Sequence, residues 1–162
     1  MSKAFTKEDD GDGAAEELLP PRSATPQPVT PAGLARLRAE HAALAAAAHA
    51  AHATQTTPST PASPADARRL RALTRILETV YPREPSLDAG GAGFGAFVTF
   101  EDEDGHVTTY QLVGPDEADL AAGRLSIASP LAHALVGKPP GETVTLHRPK
   151  GDAEVTIRDV KV

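Results

Sequence analysis

A chain of 162 residues with a net charge of −6 makes one large domain or two small ones, and lacks the basic balance of an autonomous nucleic-acid binder. It contains no cysteine, which excludes disulfides, thiol catalysis and zinc–thiolate sites, and its 4% of aromatic residues argues against a large aromatic-lined pocket. No apolar run approaches the roughly 18 residues that a membrane-spanning helix needs, and the acidic N-terminus is unlike a secretory signal, so the composition suits a cytoplasmic protein.

Residues 1–29 read as a disordered acidic tail. Glu8, Asp9, Asp10, Asp12, Glu16 and Glu17 outnumber the nearby cations, and Pro20, Pro21, Pro26 and Pro28 forbid a sustained helix. Thr30 and Pro31 then open a helix as N-cap and first-turn residue. Leu34, Leu37, His41, Leu44, Ala48 and Ala51 recur at three and four, a heptad seam that is leucine-rich at its start and alanine-rich at its end. From Pro31 to Ala53 this helix would extend about 34 Å. A polar break with two prolines, Thr54 to Ser63, precedes a second helix that begins at Ser63 and Pro64, with Asp66 favourably placed in its first turn. Leu70, Leu73, Leu77 and Val80 form its seam, and Tyr81 and Pro82 finish it. The two seams predict an antiparallel hairpin over 30–82, tightest at its leucine-rich base and frayed at its tip. Arg68, Arg71 and Arg75 fall on one face away from the leucines, either as a solvated flank or as a contact for phosphate or an acidic wall.

Residues 83–95 read as a glycine-rich linker, and a β-rich domain follows over 96–162. Val98 and Phe100 share one face, a turn falls at Asp102 to Gly105, and Val107 to Leu112 completes a hairpin. Gly114 and Pro115 break the strand, and Leu125 and Ile127 alternate with polar neighbours as a half-buried strand. Ser129 is an N-cap with Pro130 in the first helical position, Leu131, Ala134 and Leu135 form one face, and Gly137 stops the helix. Val144 and Leu146, then Val155, Ile157 and Val160, supply the last strands, so the fold class is α+β.

Residues that could carry chemistry are few. His49 and His52 lie on one helical face, but no carboxylate or thiol joins them, and two ligands do not make a metal site. Ser126 and Ser129 have no histidine–acid partners recognisable from spacing. The residues therefore point to no catalytic group, no metal and no cofactor.

One ordered set is specific. Tyr110, Val113-Gly114, Asp116-Glu117-Ala118-Asp119, Gly123-Arg124, Ser126, Ser129-Pro130-Leu131-Ala132, Ala134-Leu135, Gly137-Lys138, Gly141 and Val144 together resemble the C-terminal domain of the GreA/GreB transcription elongation factors. The stretch Thr30 to Arg38 resembles the start of that family's first helix, and the opening MSKAFTKE is similar to some GreB-type N-termini. The resemblance implies an FKBP-like C-terminal domain that docks on RNA polymerase at the rim of its secondary channel, and a hairpin that enters the channel. It further implies that Asp116, Glu117, Ser126, Ser129, Pro130 and Leu131 bind the partner, that contact with RNA or DNA is indirect, and that the chain is a monomer with no membrane attachment. His133 departs from the pattern, which has Arg or Lys there.

Gre factors carry two acidic residues at the hairpin tip that help to hold the polymerase's Mg²⁺, a hard cation that prefers carboxylate oxygens. Here no Asp or Glu occurs between Glu40 and Asp66. The tip therefore resembles Rnk-like or other Gre-related factors, and the expected function is modulation of transcription without stimulated transcript cleavage. Two alternatives stay open: a cleavage-stimulating factor using other acids, and an FKBP-like peptidyl-prolyl isomerase or chaperone module, a reading the fold alone does not warrant.

Overall fold

The computed structural model describes residues 25–53, 63–146 and 151–162. The hairpin consists of α1 (Pro31–Ala53) and α2 (Pro64–Thr79). Ser63 caps α2, its hydroxyl accepting from the Ala65 backbone N–H, and Asp66 occupies the first turn as its charge favours. Leu37, Leu73 and Ile76 are buried between the helices, with Leu34, Leu44 and Leu77 packed around them. Farther along α1, His41 and Thr74 form a hydrogen bond of 3.1 Å in the place of a leucine pair. The connection at 54–62, where the tip was expected, lies outside the described residues.

The expected tail does not run to residue 29. Gln27–Val29 forms strand β1, which pairs in parallel with β2 (Val80–Pro82) at the end of α2. Val29 is fully buried in the hairpin's apolar cluster, and its carbonyl accepts from the Arg83 N–H at 2.9 Å. Val29 precedes the helix cap and Leu34 sits in the first turn beyond it, so the two form a hydrophobic staple that fixes how the chain enters α1. Composition marked the segment as polar and proline-rich; one buried valine beside a helix start outweighs that average.

The segment 83–95 is likewise not an open tether. It holds the short antiparallel pair β3 (Leu87–Asp88) and β4 (Gly91–Ala92). Phe94 and Ala92 are fully buried, and the Arg83 guanidinium stacks over the Phe94 ring at 5.2 Å. The Gly137 N–H donates to the Ala92 carbonyl at 2.7 Å, tying β4 to the end of the C-terminal helix. Gly91, Gly93 and Gly95 permit close approach, and Gly90 takes the positive φ of the turn between β3 and β4.

The C-terminal part is a mixed five-stranded sheet in the order β7-β6-β5-β9-β8, made from β5 (Phe97–Asp102), β6 (Val107–Val113), β7 (Arg124–Ser126), β8 (Thr143–Leu146) and β9 (Ala153–Lys161). All neighbours are antiparallel except β6 and β7. Helix α3 (Pro130–Leu135) covers one face. Ala132 and Leu135 are its most buried positions, packed against Val98, Phe100, Leu112, Val155 and Ile157. Leu131 and Ala134 are only half-buried, so the inward face is rotated by one residue from the spacing expected. The opposite face carries polar cross-strand pairs, including Thr99–Thr109 at 2.8 Å and Thr143–Thr156 at 2.9 Å, as suits a sheet with one wet side. No helix among the described residues is long and apolar enough to cross a membrane.

Candidate functional site

The loop between β6 and β7 is where the two parts of the molecule meet. Pro115–Glu117 and Leu120–Ala122 each make a single 3-10 turn, and the first of them turns the Glu117 side chain inward. This side chain is 2% exposed. One oxygen accepts from the Thr30 backbone N–H at 2.8 Å. The other accepts from the Thr30 hydroxyl at 2.5 Å and from the Arg36 guanidinium at 2.8 Å. Thr30 in turn caps α1, its hydroxyl oxygen accepting from the Gly33 N–H at 3.0 Å.

This is a buried charge with its acceptor capacity met by a cation and two other donors, the condition under which such a charge is tolerated. Gly33 makes room for it, and Gly114 lets the loop approach the chain ahead of α1. A Cβ on Gly33 would stand 2.1 Å from the Glu117 carboxyl carbon, and one on Gly114 would stand 1.9 Å from the Pro28 carbonyl oxygen. Arg124 holds the loop from the other side: its Nε donates to the Glu117 carbonyl at 3.1 Å and its terminal nitrogen to the Asp119 carboxylate at 2.9 Å.

Beside the joint lies a cleft of about 280 Å³ between the hairpin base and this loop, lined among others by Arg36, Glu40, Arg69, Asp116, Asp119 and Arg124. Its cations are compensated. Arg36 pairs with Glu117, Arg124 with Asp119, and Arg69 meets the Glu40 carboxylate through two bonds of 2.6 and 2.8 Å. The hydrogen bond from Arg69 holds the Glu40 carboxyl below its ordinary range, and the same bond raises Arg69. The cleft thus joins two parts of one chain, and each of its three arginines is paired with a carboxylate.

The residues expected to bind a partner divide between two places. Asp116 and Glu117 belong to the joint; Asp116 is half-buried, and Glu117 cannot present its carboxylate to another molecule. Ser126, Ser129, Pro130 and Leu131 form the turn into α3. The Ser126 hydroxyl accepts from the Ala128 N–H, the Ser129 hydroxyl caps the helix through the Ala132 N–H, and Pro130 projects into solvent. Arg68, Arg71 and Arg75 lie on the exposed flank of α2, and their neighbour Arg69 is the one that faces the cleft.

Reading the sequence as separate segments missed Gly33, Arg36 and Arg124. A signal was present: Thr30 begins a helix whose third position is Gly rather than the usual capping-box acid, and the first turn of α1 has no acidic residue at all. Asp102, Asp104 and His106 gather at the β5–β6 turn, but their arrangement is that of a self-bonded Asp turn. The Asp102 carboxylate accepts from the His106 and Asp104 backbone N–H groups, which hold it below the usual carboxylate range.

The family described as "Transcription elongation factor, GreA/GreB, C-term" matches residues 87–162. Transcription elongation factor GreA of Ralstonia nicotianae is 51% identical over 77 residues, covering 46% of this chain and 49% of that protein. Against several such GreA relatives the chain spans about half of their length. Transcription elongation factor GreB of Pseudomonas aeruginosa is 38% identical over 151 residues, covering 82% of this chain and 89% of that protein. The crystal structure of Thermus aquaticus Gfh1 aligns with 86% of this chain and 100% of its own at 23% identity, with a TM-score of 0.42. With a long match that takes in the hairpin as well as the sheet domain, the chain belongs to the GreA/GreB family.

Proposed function

We propose that this chain is an RNA polymerase-binding factor that modulates transcription without stimulating transcript cleavage. In this reading the sheet domain, including β3 and β4, docks at the rim of the secondary channel as an FKBP-like module. The hairpin over 30–82 then projects toward the channel. The turn at Ser126, Ser129, Pro130 and Leu131 is the docking surface, Asp116 contributes to it from the joint, and Arg68, Arg71 and Arg75 face an acidic wall or phosphate. Glu117 supports docking from inside, by holding the loop. The factor works as a cytoplasmic monomer through its partner, with no catalytic group or cofactor of its own, and its contact with RNA or DNA is indirect.

One observation carries the negative half of this reading. No Asp or Glu occurs between Glu40 and Asp66, so the hairpin turn brings no carboxylate to the polymerase's Mg²⁺. Threonine and glutamine oxygens are weaker ligands for a hard dication. In backtracked complexes of purified core polymerase, saturating protein should give no Mg²⁺-dependent acceleration of RNA cleavage. It should instead slow the cleavage that an authentic Gre factor causes, by occupying the same surface. Replacing Pro130 with Glu should remove that competition while the fold persists. Accelerated cleavage would overturn the negative half, and failure to compete would overturn the shared docking surface.

A further inference from the structure

We propose that Glu117 is the positioning residue of the hairpin: it completes the capping box of α1 from the sheet domain and so sets the direction in which the hairpin leaves it. In an ordinary capping box the helix supplies both halves. The cap hydroxyl accepts from the N–H three residues on, and an acidic side chain at that third position reaches back to the cap N–H. Here Thr30 performs the first half through the Gly33 N–H at 3.0 Å. Gly33 has no side chain for the second half, and the Thr30 N–H instead donates to Glu117, 87 residues away, at 2.8 Å. The carboxylate fills the place that a side chain at 33 would take, since a Cβ there would be 2.1 Å from its carboxyl carbon.

The substitution changes what the cap does. A local capping box stabilises a helix end and says nothing about where the helix points. A carboxylate delivered from another part of the fold ties the helix end to a loop that is itself clamped by Arg124 through the Glu117 carbonyl and Asp119. The carboxylate also reaches Arg36, one turn farther along α1, at 2.8 Å. Contacts at the helix start and one turn beyond resist pivoting as well as separation. Loss of this joint should therefore free the hairpin's direction while both parts stay folded. Its functional weight rests on the proposed reading, in which a docked sheet domain must aim the hairpin.

The chain's lack of cysteine allows two labels to be introduced without background. Spin labels at Ala47→Cys on α1 and Thr145→Cys on β8, both exposed positions, report the distance between the parts. The parent should give one narrow distance distribution. Glu117→Ala, Glu117→Gln and Gly33→Ala should each broaden and shift it, with the methyl resonances of Val98 and Ile157 unchanged. The double variant Gly33→Glu with Glu117→Ala separates capping from positioning. It rebuilds the capping box within α1, so helical content and melting temperature should recover, yet the distribution should stay broad. A further sign change is expected: Gly33→Ala lowers the melting temperature of the parent, and raises it in the Glu117→Ala background, where the space is empty and alanine is the better helix former. A narrow parental distribution in Glu117→Ala, or its restoration by Gly33→Glu, would overturn the proposal.

The polymerase arm decides whether the joint matters for function. If one molecule in ten is correctly aimed, Glu117→Ala should need about tenfold more protein both to bind core polymerase and to slow Gre-stimulated cleavage. Parental binding and parental inhibition by Glu117→Ala would overturn the aiming role. If the parent itself fails to bind polymerase, the docking reading falls, and the distance measurement alone still decides the joint.

Discussion

At the base of the hairpin Val29 and Leu73 are fully buried, Leu37 is 6% exposed, and the helix start is tied to a charge inside the fold. Two turns farther along α1, Leu44 and Ala48 are only half-buried. The same heptad pattern runs through both regions, so periodicity does not cause the difference. Side-chain volume and neighbours do. At the base β1, β2 and the β6–β7 loop close around the helices; farther out each helix has only the other. Anchorage at one end is what a projecting element requires. The hairpin's direction is decided at residues 28–36 and 114–124, far from whatever its tip meets.

The largest test of this contrast compares two leucines of one seam. Leu73→Ala removes a fully buried side chain from a closed cluster and should cost about 4–5 kcal/mol, the upper part of the usual range for a site that cannot collapse. Leu44→Ala removes a half-exposed side chain and should cost about 1–2 kcal/mol by its smaller buried area. Urea titration followed by the helical circular dichroism signal measures both. Equal losses would show that the hairpin is uniformly packed and end the distinction between base and outer half.

A smaller effect follows at the N-terminal edge of the base. Composition alone predicts that removing residues 1–29 leaves the melting temperature unchanged. The packing of Val29 and its bond to the Arg83 N–H predict a loss of about 2–3 kcal/mol, from one buried valine and a backbone hydrogen bond. Comparing melting temperatures of the full chain and the shortened one decides between them. An unchanged value would mean that β1 is dispensable and that Thr30 and Glu117 close the base without it.

These cases show what the sequence disclosed. Element types were legible where local chemistry repeats: the Thr30-Pro31, Ser63-Pro64 and Ser129-Pro130 helix starts, the seam of Leu34, Leu37, Leu73 and Leu77, and the alternation of Val98 and Phe100. Ordered segments of low hydrophobicity were not, because Gln27–Val29 and Leu87–Ala92 owe their structure to partners far along the chain. The candidate site divided the same way. The Ser129 cap and the exposed Pro130 follow from three consecutive residues. The role of Glu117 depends on Thr30, Gly33 and Arg36, more than 80 positions earlier, so the same acid that reads as a surface contact in a polar loop is interior. Only the missing acid at position 33 hinted that another residue supplies the cap.

The least effect is expected at the exposed pair Glu40 and Arg69 beside the cleft. Their pairing is bidentate, with bonds of 2.6 and 2.8 Å, yet the two side chains remain 42% and 47% exposed. Solvent screening limits such a pair to about 1 kcal/mol or less. Glu40 has its folded-state pKa lowered, from an ordinary value of 4.5, chiefly by the hydrogen bond from Arg69. A lowered folded-state pKa means that the unfolded chain takes up the proton first as the pH falls. The contribution is therefore complete well above 4.5 and disappears as the pH drops through the depressed folded-state value. Arg69 is shifted upward by the same hydrogen bond, so its own contribution does not vary across the acid range. Glu40→Gln should thus be slightly less stable than the parent at neutral pH, and the gap should close in acid. It should also narrow in high salt, which screens exposed charges within a few ångströms of distance at molar concentration. Parallel denaturation curves at neutral and acid pH measure the difference. A gap that stays constant with pH and salt would mean that Glu40 acts through its packing beside the cleft rather than through its charge.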